Sequence, residues 1–333
     1  MKLKGRTILV LCLLLFGGYA LYDFQQDKKK EEINMEEVRL LTVNFEQINF
    51  VEVQKDDSKI ILERSVDGWN LTSPIKDLAD NSAVDDFIKN TVPERVIEVA
   101  KEGEGIDWAL YGLDKPLGTI TFKTTAGTQN VFEISTKRNF EENVFARRDK
   151  ENKVLVINSV WQTRANKTVL DFRDRRFLRN KIASVDEIKL KNEKGLLELK
   201  RVDGQWIVPA KKDLKLDQNK VRELLTTIAD ARASEIREGN TKATGLKNLF
   251  TLDLVLADKK WTAEVGQAKD LMIFANVSEP NFQLRMEAGA LDKLIKMTVE
   301  DLKEQPPKKE EDKSKSEDKQ ALMASPINQK DKK

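Results

Sequence analysis

The chain has no histidine and a single cysteine. Histidine is the commonest general base, the side chain that titrates nearest neutral pH and the commonest metal ligand, so its absence excludes most hydrolase triads and imidazole zinc sites. Cys12 stands inside an apolar run near the N-terminus, which leaves the rest of the chain without a thiol nucleophile, a thiolate metal site or a disulfide. Gly-rich phosphate loops and dinucleotide fingerprints are missing, and no acidic stretch has the alternating ligand spacing of a calcium loop. Chemistry is left to carboxylates, lysines, hydroxyls and tyrosines, and no cofactor or metal is expected. Charge of one sign is lacking too: 58 basic against 56 acidic residues give a net +2, so no overall field favours nucleic acid or an acidic substrate.

What is present begins with length. The 333 residues, 40% of them hydrophobic, suffice for about two domains with real cores. At the N-terminus Lys2, Lys4 and Arg6 precede a charge-free run from Thr7 to Tyr22. As a helix this run spans roughly 24 Å, slightly short of a hydrocarbon core of about 30 Å, and snorkelling of Arg6 with interfacial tyrosines can supply the rest. Gly18, Tyr19 and Ala20 also have the small-residue spacing of a signal peptidase site. An uncleaved anchor is therefore expected, with cleavage after Ala20 as the alternative. The basic end should stay cytoplasmic, placing the bulk of the chain outside a bacterial inner membrane as a single-pass, periplasmic or otherwise extracytoplasmic protein. From Lys303 onward the sequence is rich in Lys, Glu, Asp, Ser and Pro, a composition that cannot offset its ordering entropy and reads as a disordered tail.

Between these ends the chain repeats itself. "KIILERSVDGWNLTSP" followed by "DNSAVDDFIKNTV" is paraphrased by "GLLELKRVDGQWIVPA" followed by "DQNKVRELLTTI". Asp67 and Asp203 are 136 apart, Trp69 and Trp206 are 137 apart, and so are Asp80 and Asp217. Such a constant offset is what a duplicated unit leaves. "VDG" between apolar-rich runs predicts an Asp-Gly hairpin, and the tryptophan starts the return strand. Asp80 or Asp217 then caps a helix with one apolar stripe, Val84, Phe87 and Ile88 in the first copy and Val221, Leu224, Leu225 and Ile228 in the second. Alternating runs follow, around "TITFKTTAGTQNVFEIS" and "NLFTLDLVLADKKWTAEV", then "NVFARRD" with "KVLVIN" and "LMIFA" with "FQLRME", each set closing on a helix near 158–178 and 288–303. The expected fold class is α+β: tandem duplicated modules of antiparallel sheet plus helix, after an N-terminal transmembrane helix. The expected division is a basic end and anchor over 1–27, a first module over 38–180, a second over 181–303 and the tail over 304–333.

The Gly-Trp strand, "YGLDKP" at 111–116, "VFARRD" and "LDFRDRRFL" at 170–178 together resemble the bacterial family called domain of unknown function 4340, over roughly residues 40–300. The second copy departs from that pattern, with Lys247 and Asn248 in place of Asp114 and Lys115, no proline, and nothing matching the arginine run. The resemblance implies a membrane-anchored protein of the kind often encoded beside ABC transporters, with no established catalysis.

Two clusters invite a functional reading. Trp108, Tyr111 and Asp114, with Glu102, Glu104 and Asp107, place aromatics beside carboxylates as a sugar site would; the same stretch also reads as one amphipathic turn packing Trp108 and Leu113. Arg173, Arg175 and Arg176, with Arg179, Phe172 and Phe177, could meet an anionic partner; on a helix they would instead pair with Asp171 and Asp174 while Leu170, Phe177 and Leu178 are buried. Export argues against nucleic acid. Three functions follow: a non-catalytic anchored accessory of an envelope or ABC-transporter-linked complex, which is the expectation; a binding module for cell wall or polysaccharide; and a carboxylate-based hydrolase.

Overall fold

A computed structural model describes residues 39–41, 43–239, 247–257, 259–267 and 271–304, with Tyr22 and Gln25 in isolation. The expected anchor and the charged tail lie outside these residues, save for those two positions and Glu304. Among the described residues no helix is long and apolar enough to cross a membrane.

The expected fold class needs correction. The described residues are mostly antiparallel strand, in one sheet of 9 strands and one of 8, and the helices are few and short. The reason is local. The segments expected to close each copy as helices break into single turns, because Thr168 and Thr298 each start a new turn with Asp171 or Asp301 in a capping box. The chain around the arginines is then extended rather than helical, with Arg173 in a β-bridge to Ala79.

Two compact units divide between Arg175 and Arg176. In the first, the strands are β1 Ile48–Lys55, β2 Ser58–Ser65, β3 Gly68–Ser73, β4 Asp77–Leu78, β5 Glu98–Glu102, β6 Gly118–Thr124, β7 Gln129–Arg138, β8 Val144–Arg148 and β9 Lys153–Ile157. They lie in the order β4-β3-β2-β1-β6-β7-β8-β9-β5. Period-two alternation puts Val51, Val53, Ile120, Phe122, Phe132 and Ile134 on one face, all buried. Helix α1 (Asn81–Lys89) lays Val84, Phe87 and Ile88 into that core, and Phe87 meets Phe172 edge to face at 5.2 Å. Helices α2 (Val160–Ala165) and α3 (Val169–Phe172) add Trp161, whose ring lies 5.0 Å from Phe132, and Phe172 itself.

The second unit comprises β10 Val185–Asn192, β11 Gly195–Val202, β12 Gln205–Ile207, helix α4 Gln218–Asp230, β13 Glu235–Glu238, β14 Lys247–Leu256, β15 Lys259–Gln267, β16 Met272–Val277, β17 Phe282–Glu287 and helix α5 Asp292–Ile295. The sheet order is β12-β11-β10-β14-β15-β16-β17-β13. Strand for strand this repeats the first sheet without β4. The register repeats as well: Val51↔Leu62 and Val53↔Ile60 become Ile188↔Leu199 and Leu190↔Leu197, each residue displaced by 137. Even the irregularity recurs, at Ile48/Phe50 against β6 and at Val185/Glu187 against β14.

The hairpin carrying the quoted motif shows how the one-residue slip of "VDG" arises. Ser65 pairs with Gly68 and Val202 with Gln205, so the two turn residues are Val66-Asp67 in the first copy and Asp203-Gly204 in the second. Only the second is an Asp-Gly turn, with φ of 50° and 79°. In the first, Gly68 has moved into the strand at φ 123°, where any Cβ would strike the Asn81 amide. By structure the offset through this hairpin is 137; the motif matches in letters while sitting one residue out of place.

Candidate functional site

The loop from Gly103 to Leu117 joins β5 to β6 and lies against the side of the first sheet opposite its main core. Val154 and Val156 are buried there, out of phase with Leu155 and Ile157, and Leu113 is buried too, all three outside the main cluster. The Asp107 carboxylate accepts from the Ala109 amide (3.1 Å) and starts a turn that ends on Gly112, at φ 66°. The Ser135 hydroxyl donates to the Tyr111 carbonyl (2.6 Å), and the Lys137 ammonium to the carbonyls of Ala109 (2.8 Å) and Leu110 (3.1 Å). So the loop is fastened to β7 largely by its own backbone.

The aromatics of this loop are engaged. The Arg147 guanidinium lies 4.0 Å from the Trp108 ring centroid, and Tyr111 meets Phe145 edge to face at 5.2 Å. Arg147 in turn donates to the carbonyls of Glu151 (2.9 Å) and Lys150 (2.8 Å). Asp114 is exposed at the loop's end. Of the acids grouped with it by sequence, Glu102 pairs with Lys153 at 2.9 Å, and that hydrogen bond, followed by the carboxylate's charge, raises the Lys153 pKa. Arg147 was not among the sequence candidates. The signal was available, because alternation along "VFARR" puts Phe145 and Arg147 on the face opposite Ala146.

Arg173 lies elsewhere in the same unit. Its Nε donates to Asp77 at 2.5 Å, with the two side chains only 8% and 7% exposed. The adjoining backbone seals this pair: the Asp80 amide donates to the Phe172 carbonyl (2.7 Å) and the Asp174 amide to the Leu78 carbonyl (2.9 Å). Arg173 is thus a buried partner of β4, not a solvent-facing cation, and Asp171 pairs with Lys167 (3.0 Å) rather than with an arginine. Burial pushes the Asp171 carboxyl up, but the Thr168 amide and hydroxyl, both at 2.7 Å, and the Lys167 ammonium outweigh it and hold the pKa below the ordinary value. Arg175 and Arg176 are half-buried, and Arg176 forms a bridge with Arg232 in the second unit. Strand order separates the two clusters: Arg173 lies by β4 at one edge, Trp108 by β8 near the other.

The second unit repeats the Arg173 position. Thr298 donates to Asp301 from both amide and hydroxyl at 2.8 Å, which lowers the Asp301 pKa, and Lys303 bridges to Leu216 as Arg173 does to Ala79. "TVEDLKE" at 298–304 is therefore the counterpart of "TVLDFRD" at 168–174. The arginine position does have a match, which the sequence comparison missed because the intervening offset has drifted from 137 to 130.

Among the described residues no group of three or more Cys, Asp or Glu could hold a metal ion. The family model of the domain of unknown function DUF4340 matches residues 69–248, more than half of the chain. The chain belongs to that family. The DUF4340 match opens at Trp69 in β3 and runs on into β14 of the second sheet, so it takes in the Trp108 loop and Arg173, Arg175, Arg176 and Arg179. No curated protein and no solved structure matches the chain.

Proposed function

We propose that this DUF4340 protein is a non-catalytic, membrane-anchored extracytoplasmic protein, an accessory or scaffold of an envelope or ABC-transporter-linked complex. The observation that carries the reading is the use to which the polar candidates are put. Trp108 is covered by Arg147, Tyr111 meets Phe145 edge to face, and Arg173 is buried on Asp77. Groups spent on holding the fold leave the broad sheet faces and loops as the parts offered to a partner. The basic start and apolar run of the sequence supply the anchor, with the bulk of the chain outside the inner membrane.

The test is a mild-detergent pull-down of the full chain from its native membrane, with a soluble form beginning at Lys28 as control, followed by mass spectrometry. Enrichment of the same envelope or transporter subunits with the anchored form, and their loss with the soluble one, is expected. Recovery of the protein alone, in the soluble fraction of the cell, refutes the reading; glycan retained by the soluble form would replace it with a wall-binding module.

A further inference from the structure

The two units differ at one place where their backbones agree. In the first, the turn Phe45–Gln47 brings Phe45 beside the β2–β3 hairpin. The Arg64 guanidinium is 5.9 Å from the Phe45 ring centroid and 5.7 Å from that of Trp69, and the Lys89 ammonium is 4.9 Å from Phe45. The Trp69 indole N–H donates to the Asp85 carboxylate at 2.9 Å. An aromatic body and a carboxylate, both supplied by the chain, complete this corner.

Adding 137 to each number gives the second unit. Arg201 and Trp206 replace Arg64 and Trp69, and the frame is kept: Asn81 Oδ1 accepts from the Trp69 amide (2.6 Å), and Gln218 Oε1 accepts from the Trp206 amide (2.8 Å). The filling is not. Phe45 becomes Ile182, Lys89 becomes Thr226, and Asp85 becomes Arg222. Ile182, Arg201, Trp206, Gln218, Arg222 and Leu225 line an open cleft of about 340 Å³ at this corner, within the size range of small-ligand sites.

Its two charged side chains, Arg201 and Arg222, are donors only. Trp206 is only 8% exposed, and among the described residues its indole N–H has no acceptor, since arginine at 222 can only donate. Arg222 is exposed and makes one long contact, to Asn219 at 3.4 Å. Arg201 is held by Asp186 (2.6 Å) and the Ala183 carbonyl (2.9 Å), which fixes its guanidinium at the rim and partly balances its charge. An indole N–H that no protein group accepts from, on a ring lining the open cleft beside a weakly engaged arginine, suits an anion.

We infer that this cleft binds a carboxylate carried on an aromatic or branched apolar body, the two pieces that Asp85 and Phe45 provide within the first unit. The carboxylate accepts from the Trp206 indole and Arg222, and the apolar body lies against Ile182, Leu225 and the Trp206 ring. This site does not depend on the accessory role or on membrane anchoring.

The experiment uses the full chain labelled with [15N]tryptophan, which gives five indole resonances, with Trp206→Phe to assign the one at issue. Titration with 3-phenylpropionate is expected to shift the Trp206 resonance saturably, with Kd on the order of 1 mM, and to leave Trp69 in place. Its neutral amide should not bind. An acetylated dipeptide ending in phenylalanine, with free or amidated C-terminus, separates a peptide terminus from a free acid as the source of the carboxylate. Arg222→Asp rebuilds the first unit's acceptor and should weaken binding at least about tenfold while moving the unliganded resonance towards that of Trp69. Ile182→Phe fills the body position and should weaken binding independently. An unmoved Trp206 resonance at tens of millimolar acid, equal binding of acid and amide, or indifference to both substitutions overturns the inference.

Discussion

Replacing Arg173 by methionine should unfold the first unit long before it disturbs any partner. The side chain carries its charge at 8% exposure, and its Nε bond to Asp77 at 2.5 Å joins it to a carboxylate 7% exposed. At that burial, water and salt screen little. Removing one member leaves the Asp77 carboxylate in a low-dielectric setting without its guanidinium, a loss of about 3–5 kcal/mol. With a urea slope of about 2 kcal/mol/M, the midpoint of the first unit should fall by roughly 1.5–2.5 M. The second unit's transition should stay in place, so unfolding by tryptophan fluorescence and far-ultraviolet circular dichroism should separate into two steps. The control is Asp77→Leu combined with Arg173→Met, which removes both charges and should recover most of the loss, as substitution of whole buried pairs does. A loss under about 1 kcal/mol for Arg173→Met, or a double variant worse than the single, would refute the reasoning and return Arg173 to the surface as a contact for partners.

Three further outcomes follow from the same geometry. Asp80→Ala and Asp217→Ala remove N-caps that each accept two amides, and should each cost about 1 kcal/mol, additively, in denaturant titrations. The lowered Asp171 pKa means that its carboxylate contributes stability above its unfolded value of 3.8 and loses it as pH falls through the lower folded value; Asp171→Asn should therefore flatten the stability curve below about pH 4 and leave the limb above pH 8 unchanged, as read by thermal unfolding across pH. Gly112→Ala forces a Cβ at φ 66° to within 2.8 Å of the Ser135 hydroxyl and should cost about 1–2 kcal/mol, with faster amide exchange of the 107–113 loop.

The strands were the readable part of this chain. Alternation through "TITFKT" and "LFTLDLVL" marks β6 and β14 because one face is buried and a one-residue slip would expose it. The helix stripes of Val84, Phe87 and Ile88, and of Val221 to Ile228, were readable for the same reason at period 3.6. The balance of classes was not, since a single capped turn such as Val169–Phe172 carries the same residue types as the start of a long helix. Among the candidate residues, sequence reading placed the Trp108 turn on Gly112; alternation along "VFARR" marks the face of Arg147, but not that its guanidinium, some 39 residues later, covers the Trp108 ring. Arg173 was misplaced because its true partner, Asp77, lies 96 residues away on a two-residue edge strand with no periodic signal of its own. The open corner at Ile182 and Arg222 shows only when residues are matched by sheet register, since the letters of "VDG" align one position off.

The bridges Ala79↔Arg173 and Leu216↔Lys303 tie the start of each unit's main helix to residues 94 and 87 positions downstream. A contact of that sequence separation forms late, because the intervening loop must close before it is rewarded. On a growing chain the first unit therefore stays unlatched until Arg173 has emerged, and the second until Lys303 has. The two latches therefore close in order, so a chain interrupted after the first still carries one latched half, while one halted a few residues before it carries none.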